Sequence, residues 1–284
     1  MRSATRNWVP YLLLLPGMLW LALFFAVPLV SLVSTSLYDP SGSILQGYTM
    51  TWAFGNYTDA LSAYSAQFLR SFGYAAISTV LALLIGYPLA YTIAFKAGRF
   101  KNLLLVAVIA PFFTSFLVRT LAWTSILADN GFVVQTMQAL GVLGEEGRLL
   151  ATPAAVILGL TYNFLPFVIL PLYASLEKID RRLVEAAEDL YCSPSEAFRR
   201  VTFPLSLPGV VAGTLLTFIP AAGDYINSAL LGTPSTYMVG NVIESQFLQV
   251  TNYPTAAALS VMLMGSIVIL VAVYVRKAGT EELL

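Results

Sequence analysis

Apolar residues in this chain gather into long runs, with polar residues confined to the stretches between them. Crossing the hydrocarbon core of a bilayer takes roughly 17 to 25 such residues in a helix. The runs that qualify are about Trp8 to Leu37, Ser71 to Phe95, Asn102 to Leu127, Ala151 to Leu176, Leu205 to Leu231 and Thr255 to Val275. The pattern predicts an all-α membrane protein of six transmembrane helices. Pro88, Pro111, Pro166, Pro171, Pro208 and Pro220 lie inside these runs or at their ends. Packed neighbours can absorb the hydrogen bonds that proline removes, so a kinked span is expected at each and not a terminated one. The first run is too long for a cleaved signal and lacks a convincing small-residue cleavage site, so it reads as a retained anchor.

Composition agrees: 58% of the residues are hydrophobic and 11% charged, against about a quarter charged in a soluble domain. Net charge is zero, which gives no electrostatic footprint for nucleic acid. There is no histidine and a single cysteine, Cys192. That removes disulfides, histidine-based triads and Cys/His zinc sites, so neither an enzyme active site nor a metal site is suggested. Of the 15 lysines and arginines, all but Arg70, Arg119 and Arg148 sit at the amino terminus (Arg2, Arg6), after the second run, in the connection between runs four and five, or in the tail. The positive-inside rule then places both termini in the cytoplasm.

The outer connections, residues 38–70 and 129–150, mix polar, apolar, glycine and aromatic residues and read as short interfacial helices. Residues 232–254 carry Met238, Val242 and Phe247 at spacings that suggest one amphipathic helix. No internal repeat or second domain is evident, so residues 1–284 read as one membrane domain.

The connection spanning 177–204 is different. More than a third of the chain's charged residues fall between Glu177 and Arg200, so this segment is built for water. Asp180 is placed to cap a helix whose apolar stripe is Leu183, Ala186, Ala187 and Leu190. Ser193, Pro194 and Glu196 then form a capping-box signature for a second helix, with Phe198 and Val201 continuing it and Phe203-Pro204 ending it. An amphipathic loop resting on the membrane accounts for the stripe; so does an element docked in the groove of a soluble partner.

The order Glu185-Ala186-Ala187, then Val201 and Pro204 at the end of the second helix, resembles the coupling-loop signature of membrane subunits of bacterial ABC importers. Phe203 replaces the usual leucine, and Tyr191 stands where the family has a turn glycine able to adopt positive φ. The segments PFFTSFLVRTLAW (Pro111 to Trp123), YNFLPFVILPLYASLEKID (Tyr162 to Asp180), GDYINSALLG and MVGNVIESQF look like the first permease subunit of spermidine/putrescine-type importers. Related permeases for iron, phosphonates or opines share these motifs. The resemblance implies a type I ABC importer permease fold in the bacterial inner membrane, paired with a second, similar permease as a heterodimer. It also implies two cytoplasmic ATPase subunits and an extracytoplasmic substrate-binding protein. No phosphate-binding G-x-x-x-x-G-K-[ST] loop occurs here, so ATP and magnesium are expected on the ATPase chains and no cofactor on this one. Coupling to the ATPase is implied for Glu185, Ala186, Ala187, Asp189, Leu190, Tyr191, Ser193, Pro194, Phe198 and Pro204.

Arg119 and Asp224 are the charges well inside the predicted spans. Intramembrane ions normally face a partner or a cavity. With straight helices at about 1.5 Å per residue, both sit roughly 25 to 29 Å along their spans. They could pair with each other as a structural element. Alternatively, Asp224 attracts a cationic substrate, with Tyr225, Trp123 and Phe164 offering ring faces to ammonium groups. Glu244 is a further candidate at the outer mouth. The expected function is ATP-driven import of polyamines or a similar small cation. The alternatives are the same importer class with iron, an opine or a phosphonate as cargo, or a secondary transporter or channel.

Overall fold

Long apolar runs with internal prolines fold as helices whose breaks fall where the backbone loses hydrogen bonds. The computed structural model describes residues 9–43, 45–144 and 147–278, so Arg2 and Arg6 lie outside the described residues. Among them the structure is all-helical, apart from isolated bridges pairing Tyr38 with Met50 and Ser43 with Gly47. Four helices are long and apolar enough to cross a membrane: α1 (Tyr11–Thr35), α2 (Gly55–Lys96), α6 (Pro153–Glu177) and α12 (Tyr253–Lys277). Two bent pairs bring the number to six by length and composition alone: α3 (Gly98–Phe113) with α4 (Phe116–Ile126), and α9 (Leu207–Ala222) with the preceding α8 (Pro194–Leu205), whose exposed Glu196, Arg199 and Arg200 leave its start outside the apolar stretch. The shorter helices are α5 (Phe132–Ala139), α7 (Arg181–Asp189), α10 (Ile226–Leu231) and α11 (Val239–Glu244).

The chain divides into two compact units, Met1–Ala63 with Ile243–Met264, and Tyr64–Val242 with Gly265–Leu284. In the first, α1 is apolar and exposed over most of its length, as a lipid-facing span is, and partly covered towards Thr35. Its end is held by Asn56, whose amide donates to the carbonyls of Ser36 and Tyr38. Tyr48 reaches Thr251 through its hydroxyl and packs against the Tyr253 ring.

In the second unit α6 is the central element. Phe164, Leu160 and Val156 join Ala75, Leu127, Ala221 and Leu231 in one core cluster. Val168, Ile169, Leu172 and Leu176 join Ala82, Ala90 and Ile93 in another. Helix α9 lies tightly on α6 because Gly209 and Gly213 face it. A Cβ on Gly209 would come within 2.6 Å of the Ser175 Cβ and 2.9 Å of the Pro171 carbonyl; one on Gly213 would come within 3.2 Å of the Val168 Cα. Small residues four apart let backbones approach where lipid offers no hydrophobic drive for association.

Several expectations are corrected. The second helix starts at Gly55 and not near Ser71, absorbing part of the 38–70 connection. The third run is not one helix: α3 ends in a 3-10 turn at Ala110–Phe113, Thr114 is extended, and α4 departs at 95°. Pro111 in that last turn supplies no backbone donor. The straight-helix distances for Arg119 and Asp224 therefore do not hold, since α9 also turns by 61° from α8 and ends before Asp224. Phe203-Pro204 does not stop the second loop helix, which continues through a π turn at Phe198–Thr202 to Leu205. Pro204 lies next to the last residue of this continuous helix, so its missing N–H leaves one upstream carbonyl without its helical donor. Residues 232–254 form a 3-10 turn at Pro234–Thr236, then α11 and a π turn at Ser245–Gln249. Met238 precedes α11, fully buried, while Phe247 is exposed, so the two share no single face.

Candidate functional site

Two places concentrate polar chemistry: a buried line across α4, α6 and α10, and the charged loop made by α7 and α8.

The buried line begins on α4 and ends just before α10. Thr120, Asn163, Asn227 and Asp224 are all buried. The Asn163 amide donates to Thr120 Oγ1 at 3.1 Å and to Asn227 Oδ1 at 3.0 Å. Asn227 in turn donates to Asp224 twice, from its backbone N–H at 2.8 Å and from Nδ2 at 3.2 Å. Gly159 makes room for this, since a Cβ there would meet Asn227 Oδ1 at 2.7 Å. The line is anchored further by Asn241, whose amide donates to the Tyr225 carbonyl at 2.9 Å. Polar side chains in an apolar interior are costly unless they bond one another, so this chain of bonds fixes the relation of α4, α6 and α10.

Arg119 precedes Thr120 but takes no part in the line. Its guanidinium lies over the Phe112 and Phe116 rings, 5.5 and 5.8 Å from their centroids. Its Nε and Nη1 are buried without an acceptor, and among the described residues no carboxylate comes within ion-pair distance. Arg119 and Asp224 are not paired. Asn163 Oδ1 is likewise buried and unbonded.

The remaining candidates are dispersed. Phe164 is buried, with its ring beside those of Phe116 and Phe167, so it presents no open face. Trp123 is half-buried edge-to-face against Tyr162 at 5.3 Å. Tyr225, beside Asp224, is 45% exposed. Glu244 ends α11 and belongs to the other compact unit. Sequence reasoning overlooked Thr120, Asn163 and Asn227. The available signal was an asparagine inside the apolar stretch TYNFLPFVIL, where an uncharged amide still needs a partner.

The loop is built by local rules. The Asp180 carboxylate accepts from the Arg182 N–H and starts α7. Ser193 and Glu196 form the reciprocal capping box that starts α8. The bonds from the Ser193 backbone N–H and then its hydroxyl, with Arg200 adding to them, hold the Glu196 carboxyl below its ordinary range. Between the helices Tyr191 adopts φ +63°, the left-handed conformation, with its N–H on the Glu188 carbonyl and the Cys192 N–H on that of Ala187. Tyrosine thus takes the backbone path of a glycine helix terminator. Glu185, Ala186, Asp189, Ser193, Pro194 and Pro204 are exposed; Ala187 and Phe198 are partly covered. Leu190 is 78% exposed and Tyr191 99%.

The geometry has counterparts among known proteins. Residues 82–278 match the family described as "Binding-protein-dependent transport system inner membrane component". The spermidine/putrescine transport system permease protein PotB of Haemophilus influenzae is 38% identical over 258 residues, covering 90% of each chain. PotB of Escherichia coli is also 38% identical, over 90% of this chain and 93% of its own. A crystal structure of a bacterial ABC transporter involved in import of alginate superposes with a TM-score of 0.68 over 96% of both chains at 19% identity. A chain of the inward-facing MetNI methionine ABC transporter superposes with a TM-score of 0.56, covering 76% of this chain and 95% of that one, also at 19% identity. The fold is that of an ABC importer permease, and the chain belongs to the family of binding-protein-dependent transport inner-membrane components, a multi-pass transport subunit of the bacterial inner membrane.

Proposed function

We propose that this permease forms part of the membrane pathway of an ATP-driven importer for polyamines or a similar small cation. The observation that carries the proposal is similarity to spermidine/putrescine permeases over nine-tenths of the chain. Asp224 supports it physically: a carboxylate buried within the membrane-spanning unit favours a cation nearby. The chain pairs with a second, homologous permease and receives substrate from an extracytoplasmic binding protein. Two cytoplasmic ATPase subunits carry the ATP and magnesium. Both termini and the α7–α8 loop face the cytoplasm, where most of the lysine and arginine lies.

In this reading α7 enters an ATPase groove. Glu185 is the charged contact, Ala186 and Ala187 allow close approach, Leu190 and Tyr191 are the apolar anchors, and α8 braces them. Closure of the ATPases on ATP then switches the permease pair between inward-open and outward-open states.

The test is reconstitution with the second permease, the ATPase and the binding protein, measuring hydrolysis stimulated by spermidine, putrescine, ferric iron, an opine or a phosphonate. Stimulation by the polyamines is expected; stimulation by one of the others alone transfers the importer to that cargo. Glu185→Arg is expected to release the ATPase or abolish uptake. Full binding and uptake in that variant would remove the docking assignment. Uptake by the purified chain without any ATPase would instead indicate a secondary transporter.

A further inference from the structure

A grip on the α7–α8 loop does work only if something carries its displacement to the far end of the membrane unit. Resting on the docking reading above, we propose that α2 is that element, with Arg181 as its inner joint and Arg70 with Ser71 as its outer joint. Arg181 is the first residue of α7, yet its guanidinium leaves that helix. Nη2 donates to the Ala94 carbonyl at 3.2 Å and the cation lies 5.7 Å from the Phe95 ring centroid. Ala94 belongs to the π turn Thr92–Lys96 that ends α2, where carbonyls lack intrahelical partners and the helix dipole is negative. Arg181 is therefore a C-terminal cap supplied by another helix.

The second loop helix holds the same face of α2. The Phe198 ring meets Tyr91 and Tyr87 edge-on at 5.9 and 5.7 Å, and the Tyr87 hydroxyl shares a 2.8 Å bond with Ser206 Oγ. Tyr87, Tyr91 and Ala94 follow one another at helical i, i+4, i+7 spacing, so α7 and α8 grip one stripe.

From Ala94 the helix runs back to Ser71, roughly 35 Å at 1.5 Å per residue. Its single non-helical residue is Tyr64, beyond that stretch, and Pro88 lies within it without interrupting the helical backbone. At that end Arg70 Nη1 donates to the Tyr237 carbonyl and Ser71 Oγ accepts the Val239 N–H, each at 2.8 Å. Tyr237 and Val239 flank Met238, whose N–H bonds the Asn241 amide oxygen. One continuous helix thus bonds to the loop at one end and to the segment before α11 at the other. Arg181 is a positioning residue: it holds α2 to α7.

The test uses the reconstituted complex in a Cys192→Ser background with Ser235→Cys, an exposed position beside the outer joint, as a thiol-labelling reporter. In the parent complex ATP is expected to change the labelling rate at residue 235. Arg181→Gln and Arg70→Gln should each leave the ATPase bound and basal hydrolysis within twofold, while the ATP-dependent labelling change falls about tenfold. Arg181→Lys, which keeps a cationic donor, should recover most of it. The double variant should be no worse than the poorer single, since both joints act through one rod. The proposal is overturned by an undiminished labelling response in both single variants, by multiplicative losses in the double, by ATPase release from Arg181→Gln, or by an ATP-insensitive reporter in the parent complex. Because the readout needs no cargo, a wrong substrate does not affect it. If Glu185→Arg leaves ATPase binding intact, the docking reading falls and this proposal with it.

Discussion

Asp224 takes both hydrogen bonds of its carboxylate from Asn227, three residues on, and none from Arg119. The two intramembrane charges have separate lives: one belongs to a chain of amides, the other to a pair of phenyl rings. The negative charge is thus left without a cationic partner among the described residues.

Asp224→Asn tests that charge. Asparagine keeps the acceptor for the Asn227 N–H, gives up the longer bond from Asn227 Nδ2 and loses the negative charge, so assembly should survive at a small cost in stability. Polyamine uptake is expected to fall at least tenfold in kcat/KM, a loss of about 1.4 kcal/mol. Uptake within twofold of the parent for every cation tried removes Asp224 from the pathway.

Tyr191 invites a substitution with effects of opposite sign. A left-handed tyrosine costs about 1 kcal/mol that glycine does not. With its side chain 99% exposed, no packing of the ring offsets that cost. Tyr191→Gly should therefore raise the thermal stability of the isolated permease while weakening ATPase binding, as removal of an aromatic interface anchor does. A variant equally good at binding denies the ring its role.

The α6–α9 seam predicts a sharp contrast between glycines. Gly209→Ala places a Cβ 2.6 Å from a neighbouring carbon and should destabilise by about 1–3 kcal/mol. Gly17→Ala, where a Cβ meets nothing within 4 Å, should be silent or slightly stabilising. Melting in detergent compares them directly, and equal melting temperatures would contradict the tight seam.

Glu196 gives a pH dependence. Its carboxyl is held below the ordinary range by the Ser193 bonds, so the folded state binds the proton less readily than the unfolded one. The stabilisation of α8 is then present above the unfolded glutamate pKa, about 4.3, and disappears as pH falls through the lower folded value. Ser193→Ala keeps the backbone N–H bond and removes the hydroxyl, so it should shift the Glu196 titration upward in part by NMR, and an unmoved titration denies the hydroxyl a share in holding it down.

The spans were legible because bilayer thickness imposes length and apolarity on a helix directly. The loop caps were legible as well: Asp180, Ser193, Pro194 and Glu196 act within four residues of themselves, and such local chemistry is written in order. The break at Thr114–Ser115 was not, because a proline in an apolar run reads alike whether neighbours restore a straight helix or allow a 95° turn. The polar line across Thr120, Asn163 and Asn227 depends on three helices meeting, which no window along the chain contains. Tyr191 shows the reverse: glycine's absence argued against its turn, yet the hydrogen bonds at the end of α7 outweighed a cost of about 1 kcal/mol.

The glycine seam between α6 and α9 also bears on how motion is divided. Two helices with interlocked backbones behave as a single stiff plate, and the charged loop is the handle forged onto its edge. A push on the handle reaches both helices together, with no slippage between them to dissipate it. In the proposed switch the flexing then falls at the bend at Thr114–Ser115, where the backbone has left the helix.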